Sequence, residues 1–486
     1  MSNFSKKIIA QGFLWRFFER VGAQGVKLLV EIVLARILLP DDYGLIALVT
    51  VFITVLNVFV DSGLGNALIQ KKDADNLDFS TVFWFNIVWC IVLYWLFFGA
   101  APLIAKFYER TELTPVLRVL GLQVIISGVK NVEQAYVSRT MQFRKFFFAT
   151  LGGTIGAAVI GIWMAYSGYG VWALVAQQLF NTLVDTVILW ITVKWRPILD
   201  FSFARFKTLF SFGWKLLAAA LLDTVYTEIR QLIIGKIYTS SDLAYYNRGR
   251  QFPHLFVMNV NASIDSVLLP TMSKEQDNRS RVKKMTRRAI QTSTFIMAPL
   301  LMGLAFVGEP FVRLILTEKW LPCVPYMRIF CISFIFQPIH TANLNAIKAM
   351  GRSDLFLKLE IIKKAVGLLA LLITMNISVM AMAWSLLATN FVFQLINSWP
   401  NRSLMAYKYL DQLKDILPNL VLSILMGVCV LQIERLGFSD IPTLLLQILL
   451  GAVVYTSAAW LTKNESLLYL YEIISPHFNR QINRPL

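Results

Sequence analysis

The chain has 486 residues, 57% of them hydrophobic and 15% charged, with a mean hydropathy of +0.60. Those values exclude an ordinary soluble enzyme or a disordered chain and place the protein among polytopic membrane proteins. A formal net charge of +17 would suit nucleic acid in a soluble chain, but in a membrane chain basic residues first report orientation, so no nucleic-acid partner is expected.

The first apolar segment covers residues 12–39 and is long enough, at ~1.5 Å per residue, to cross the hydrocarbon core as a helix. It is too long for a signal peptide and lacks a small-residue cleavage pattern, so no cleavable leader is expected. At about 100° per residue, Arg16, Arg20, Gln24, Lys27 and Glu31 share an arc of roughly 80°. This polar stripe needs a hydrated or proteinaceous partner, because a charge facing lipid costs about 2.5–3.5 kcal/mol. Two plainer readings stand beside it: Arg16 and Arg20 snorkel to the near surface, and Lys27 and Glu31, four apart, pair with each other.

Further apolar segments follow at 44–69, 79–104, 113–138, 146–167, 171–193, 208–236, 243–270, 289–315, 321–347, 357–375, 378–400, 415–434 and 441–462, giving about fourteen predicted helices. Tight turns such as Pro40-Asp41-Asp42-Tyr43 alternate with longer basic links such as 271–288. Asp61-Ser62-Gly63-Leu64-Gly65-Asn66, near the end of the second segment, predicts a local unwinding or a close packing point. Lys and Arg number about 27 in the amino terminus, the even-numbered links and the tail, against about four (Lys106, Arg110, Lys319, Arg435) in the odd-numbered links. Both termini are therefore expected to be cytoplasmic. Cys90, Cys323, Cys331 and Cys429 all lie in apolar segments and form neither a disulfide framework nor a metal-binding spacing.

A shift of 200 lays Leu34-Ala35-Arg36-Ile37 on Ile234-Gly235-Lys236-Ile237 and Asp42 on Asp242. With the helix spacing, this predicts an all-α protein of two parallel six-helix lobes around a central cavity, plus a C-terminal helix pair. The expected divisions are an N-terminal lobe at 1–194, a cytoplasmic linker at 195–207, a second lobe at 208–400, and two further helices with a cytoplasmic tail at 401–486. The linker mixes Trp195, Phe201, Phe203 and Phe206 with Lys194, Arg196, Arg205 and Lys207, which predicts an amphipathic helix lying on the membrane surface.

Polar stripes recur on other segments. Asn57 and Asp61 align on the second, Gln123, Ser127, Lys130 and Gln134 on the fourth, and Asp223, Thr227 and Arg230 on the seventh. On the eighth, Asn247, Arg250, Gln251, His254, Asn261 and Asp265 fall within about 100° of arc. Stripes on corresponding helices of two halves predict one cavity at their junction. Arg16, Arg20, Lys27, Lys130, Arg230 and Arg250 outnumber Glu31, Asp61, Asp223 and Asp265, so the cavity is expected to be cationic and to attract an anion, phosphate above all. The plainer alternative is an internal ion-pair network that pins helices together.

One of Glu31, Asp61, Asp223 or Asp265 is a candidate to take up H⁺ or Na⁺ and couple transport to an ion gradient. Pro253, Pro299, Pro310 and Pro338 are candidate kinks. Three histidines, no nucleophile motif and no P-loop leave no catalytic or metal site to name. No enzyme activity and no cofactor beyond the coupling ion are expected.

The run Leu34-Ala35-Arg36-Ile37-Leu38-Leu39-Pro40-Asp41-Asp42-Tyr43-Gly44-Leu45, followed by Asp61 through Lys72, resembles the amino-terminal signature of a known family. That family is the polysaccharide-transporter branch of the multidrug/oligosaccharidyl-lipid/polysaccharide exporter superfamily. Thr317-Glu318-Lys319-Trp320 and Tyr245-Tyr246-Asn247 echo its second half. The likeness is greatest to the Wzx-type flippases of colanic and teichuronic acid. The resemblance implies a fourteen-helix inner-membrane protein that moves an undecaprenyl-diphosphate-linked oligosaccharide between leaflets by alternating access. It also implies a monomer working beside polysaccharide polymerase machinery. It transfers no individual binding residue, since the signatures lie in loops and helix ends. The rival expectation is a cation-coupled antiporter of drugs or metabolites with the same architecture, whose chamber would be acidic or aromatic.

Overall fold

In lipid every backbone N–H and C=O must be satisfied within its own segment, so apolar runs of this length can only be helices. The computed structural model describes residues 22–61 and 63–472, apart from the side chains of 262, 263 and 265–267. The described residues are helical with no strand. Eleven helices among them are long and apolar enough to cross a membrane.

The first unit contains α1 (22–37), α2 (Pro40–Asp61), α3 (Leu64–Gln70), α4 (Asn76–Phe107), α5 (Leu113–Arg139), α6 (Arg144–Tyr166), α7 (Val171–Thr192) and α8 (Phe203–Ile237). Then come α9 (Ser240–Lys274), α10 (Arg279–Phe306), α11 (Gly308–Leu316), a 3₁₀ turn (Glu318–Cys323), α12 (Val324–Ile335) and α13 (Gln337–Ala349). The chain continues through α14 (Ser353–Thr374), α15 (Val379–Ser398), α16 (Asn401–Leu404), α17 (Tyr409–Glu434) and α18 (Asp440–Leu461), with a last helical stretch at 465–472. Helices α1, α9 and α14 coincide with three of the predicted segments but are absent from the eleven. The described part of α1 is short, and α9 and α14 carry charges along their length.

The chain divides into two compact units at Ala244/Tyr245. The boundary falls later than the linker because α8 packs on α2, α3 and α4 of the first unit.

Three local expectations are corrected. Residues 193–202 are not an amphipathic helix but an irregular strap. Pro197 disfavours helical backbone at Arg196, and α4 supplies the strap with partners. Trp195 Nε1 donates to Asn76 Oδ1 at 2.6 Å, Ile198 N to Ser80 Oγ at 3.0 Å, and Trp84 Nε1 to the Ile198 carbonyl at 2.8 Å. The link at 271–288 is mostly helix: α9 runs to Lys274, and Asn278 Oδ1 caps α10 by accepting from Arg281 N at 3.1 Å. The segments 289–315 and 321–347 are each broken, at Val307 and Phe336. Pro310 and Pro338 therefore sit in first turns, where a missing N–H costs nothing, rather than at kinks.

The shift of 200 has a structural counterpart. Asp42 accepts from Leu39 N at 3.1 Å, and Asp242 accepts from Thr239 N at 3.2 Å, each closing the entry to a long helix. Between α2 and α3, Gly63 takes φ +68°, and a Cβ there would lie 2.3 Å from the Gly213 carbonyl oxygen of α8. Gly63→Ala is expected to lower the stability of the detergent-purified protein by about 2 kcal/mol, from left-handed strain and loss of this approach. An unchanged thermal midpoint would show that the contact does not hold the break.

Candidate functional site

The family-like signature builds a clamp rather than a binding site. Asp78 is fully buried at the start of α4, and Lys71 Nζ donates to its two oxygens at 2.7 and 2.6 Å. Arg139, at the end of α5, donates to the carbonyls of Leu68, Lys71 and Lys72. Arg205 bonds Asp75, which caps α4, and its guanidinium holds that carboxyl down to about 2. In the second unit the other two echoes pack together. Trp320 is fully buried, with the Tyr245 ring edge-on at 6.1 Å and the Arg248 guanidinium 5.1 Å from its centroid. Gly249 permits this fit, since a Cβ there would stand 2.7 Å from Tyr326 Cβ.

The polar stripes do something different. In the first unit, α1, α2, α5, α6 and α7 enclose a cavity of about 320 Å³ whose lining includes Lys27, Glu31, Thr50, Gln123, Gln178 and Asn181. Close approach of α6 brings in the α7 face: a Cβ on Gly153 would lie 2.8 Å from the Asn181 carbonyl oxygen. Gln123 Nε2 donates to Thr182 Oγ1 at 2.6 Å. Lys27 Nζ lies 3.8 Å from Glu31 Oε1, and the lysine side chain remains 70% exposed. Farther along α5, Lys130 Nζ donates to Asp185 Oδ2 at 2.8 Å, and Asn131 Nδ2 to Asp61 Oδ1 at 2.7 Å.

Of the residues named from sequence, Lys27 and Glu31 therefore share a cavity, Lys130 is paired, and Asp61 is hydrogen-bonded within the same unit. On α8, Asp223 is exposed and Arg230 half-buried; on α9, Arg250 is half-buried. Arg16, Arg20 and the side chain of Asp265 lie outside the described residues. Sequence reasoning missed the polar stripe of α7. Gln178, Asn181 and Asp185 recur at three- and four-residue spacing along the helix, the same signal that identified the other stripes. Asp185 changes the electrostatics, because two of the cations named from sequence, Lys27 and Lys130, each stand beside a carboxylate. The plainer expectation that Lys27 and Glu31 pair is thus realised as a long contact, and an acid unread in the sequence offsets Lys130.

Comparison with known proteins bears out the resemblance. The chain is 24% identical over 476 residues to the succinoglycan biosynthesis transport protein ExoT of Rhizobium meliloti (strain 1021), covering 96% of each. It is 27% identical over 303 residues to the teichuronic acid biosynthesis protein TuaB of Bacillus subtilis (strain 168), an alignment covering 61% of this chain and 62% of that relative. It is 24% identical to the lipopolysaccharide biosynthesis protein WzxC of Escherichia coli (strain K12), covering 72% of each. Its fold is similar to that of the lipid II flippase MurJ in an inward closed conformation, with TM-score 0.75, 14% identity, and coverage of 94% of this chain and 100% of that one. Residues 33–325 match the polysaccharide biosynthesis protein family. Since that match spans more than half its length, the chain is a multi-pass membrane protein that belongs to the polysaccharide biosynthesis protein family.

Proposed function

We propose that the protein is a transporter that flips lipid-linked oligosaccharide units for surface polysaccharide from the cytoplasmic to the outer leaflet. The observation that carries this reading is the end-to-end likeness to a polysaccharide transport protein, together with an amide-rich cavity within a helical unit. Neutral Gln and Asn side chains offer both donors and acceptors, which suits sugar hydroxyls, while Lys27 can meet a phosphate oxygen. The described lining has no aromatic ring, which an exporter of organic cations would favour.

The finer parts of the proposal are a fourteen-helix topology, counting α1, α9 and α14 with the eleven apolar helices, and both termini in the cytoplasm of an inner-membrane protein. The lobes span 1–194 and 208–400, the protein acts as a monomer beside polymerase machinery, and H⁺ or Na⁺ drives the cycle through one of the intramembrane carboxylates.

Deleting the gene in a strain without a redundant transporter is expected to strand lipid-linked sugar units on the cytoplasmic face, measured with a membrane-impermeant probe. Their normal appearance outside would overturn the proposal. In vesicles, collapsing both the proton and sodium gradients is expected to stop transport; unchanged transport would remove the ion-coupling part alone.

A further inference from the structure

The second unit holds another cavity, of about 730 Å³, which the transport argument does not use. It lies between the end of α9, the first turns of α10 and the helical stretch 465–472, whose Tyr469 lines it. Helix α10 opens with six cations in ten residues: Arg279, Arg281, Lys283, Lys284, Arg287 and Arg288. Their helical phase sorts them. Lys283 donates to the Ala406 carbonyl at 2.7 Å, and Arg287 to Asp415 at 2.8 Å with Glu465 at 3.7 Å, so these two hold α10 against other parts of its own unit. Arg281, Lys284 and Arg288, at i, i+3 and i+7, share another face and line the cavity.

Glu275 is the one carboxylate among the described lining residues, and it engages Arg281 at 2.8 and 3.0 Å. The Arg288 guanidinium lies 3.8 Å from the Tyr469 ring centroid, an arrangement that fixes its plane and leaves its N–H edges for an oxyanion. Beside the cations, Ile264, Leu268, Met285 and Ala289 form an apolar wall. The described lining contains no Asn or Gln, unlike the cavity of the first unit. A stripe of cations bordering an apolar wall, in the first turns of a helix long and apolar enough to span, matches a lipid with a phosphate head.

The geometry points to a binding site for an anionic glycerophospholipid, its phosphate held by Lys284 and Arg288 and its chains lying along Leu268, Met285 and Ala289. The site is separate from the sugar-compatible cavity and serves a resident lipid rather than cargo.

The test uses the full chain, purified from membranes and analysed by native mass spectrometry with added phosphatidylglycerol, undecaprenyl phosphate or inorganic phosphate. The protein is expected to retain phosphatidylglycerol. The triple variant Arg281→Gln/Lys284→Gln/Arg288→Gln should bind it about twenty-five-fold more weakly, from about fivefold for each of the two cations that hold the phosphate. Ala289→Trp, which fills the apolar wall, should weaken it while leaving all three cations in place. A control that removes three exposed lysines elsewhere, Lys408→Gln/Lys414→Gln/Lys463→Gln, should bind as the parent does. Equal loss in that control would overturn the proposal as bulk charge. Saturable displacement by inorganic phosphate would reduce the site to an ion site and overturn it. Preference for undecaprenyl phosphate would assign the site to the transported carrier and overturn it equally.

Discussion

Asp185→Ala is expected to destabilise the protein by about 3 kcal/mol, and Lys130→Ala by a similar amount, because each leaves a charge without its partner in a place where water is scarce. The two side chains are only 15% and 17% exposed and meet at 2.8 Å. The double variant Lys130→Met/Asp185→Leu removes both charges and should recover most of the loss, since an apolar pair of similar volume often equals or exceeds a buried ion pair. Thermal unfolding in detergent reads the stability, and a vesicle flipping assay reads the function. If the pair serves to pin α5 against α7, the double variant regains transport along with stability. If stability returns and transport does not, the pair belongs to the transport path and the structural assignment is wrong. The cycle separates the two roles because each single variant confounds them.

The pair also marks where the sequence stopped being readable. Long apolar runs declare helices because lipid leaves the backbone no other means of satisfying its polar groups, and α4, α7, α17 and α18 lie where their hydropathy places them. The strap at 193–202 was misread because its form depends on partners more than a hundred residues away, Asn76, Ser80 and Trp84, which no local window contains. The link at 271–288 was misread for the opposite reason: its charges look like a loop, yet Asn278 caps a helix through them. At the site, helical phase placed Lys27 and Glu31 on one face, and they do share a cavity. Phase could not say which charge faces which. Asp185, a lone acid in an apolar run, gave no hint that Lys130 lay across from it. Glu133 was equally silent: it is fully buried on α5, with Arg196 of the strap 3.7 Å away. The signature motifs, which transferred no binding residue, build the clamp around Asp78 and the packing around Trp320 rather than the cavity.

Lys27→Ala should leave the fold intact and slow transport sharply. Its contact with Glu31 is long, at 3.8 Å, and its side chain is 70% exposed, so as an i,i+4 pair it contributes no more than about 0.5 kcal/mol to stability. Lys27 is also the one cation among the described residues lining the first unit's cavity. A charge-assisted hydrogen bond to a phosphate oxygen is worth roughly 1.5–3 kcal/mol, so its loss should slow flipping by about ten- to a hundredfold while the thermal midpoint hardly moves. Lys27→Arg keeps the charge and should retain part of the rate. Glu31→Gln removes the partner but not the cation, so it should spare transport if Lys27 works by meeting substrate, and should match Lys27→Ala if the pair itself is what matters. Arg250→Ala, on the half-buried face of α9, is expected to behave like Lys27→Ala. Normal flipping by both alanine variants in vesicles, at equal protein level, would mean that these cations only dress helix surfaces and that the cargo's phosphate is held elsewhere. Loss of transport that merely follows loss of folded protein would lead to the same conclusion, which is why the thermal midpoint has to be measured on the same preparations.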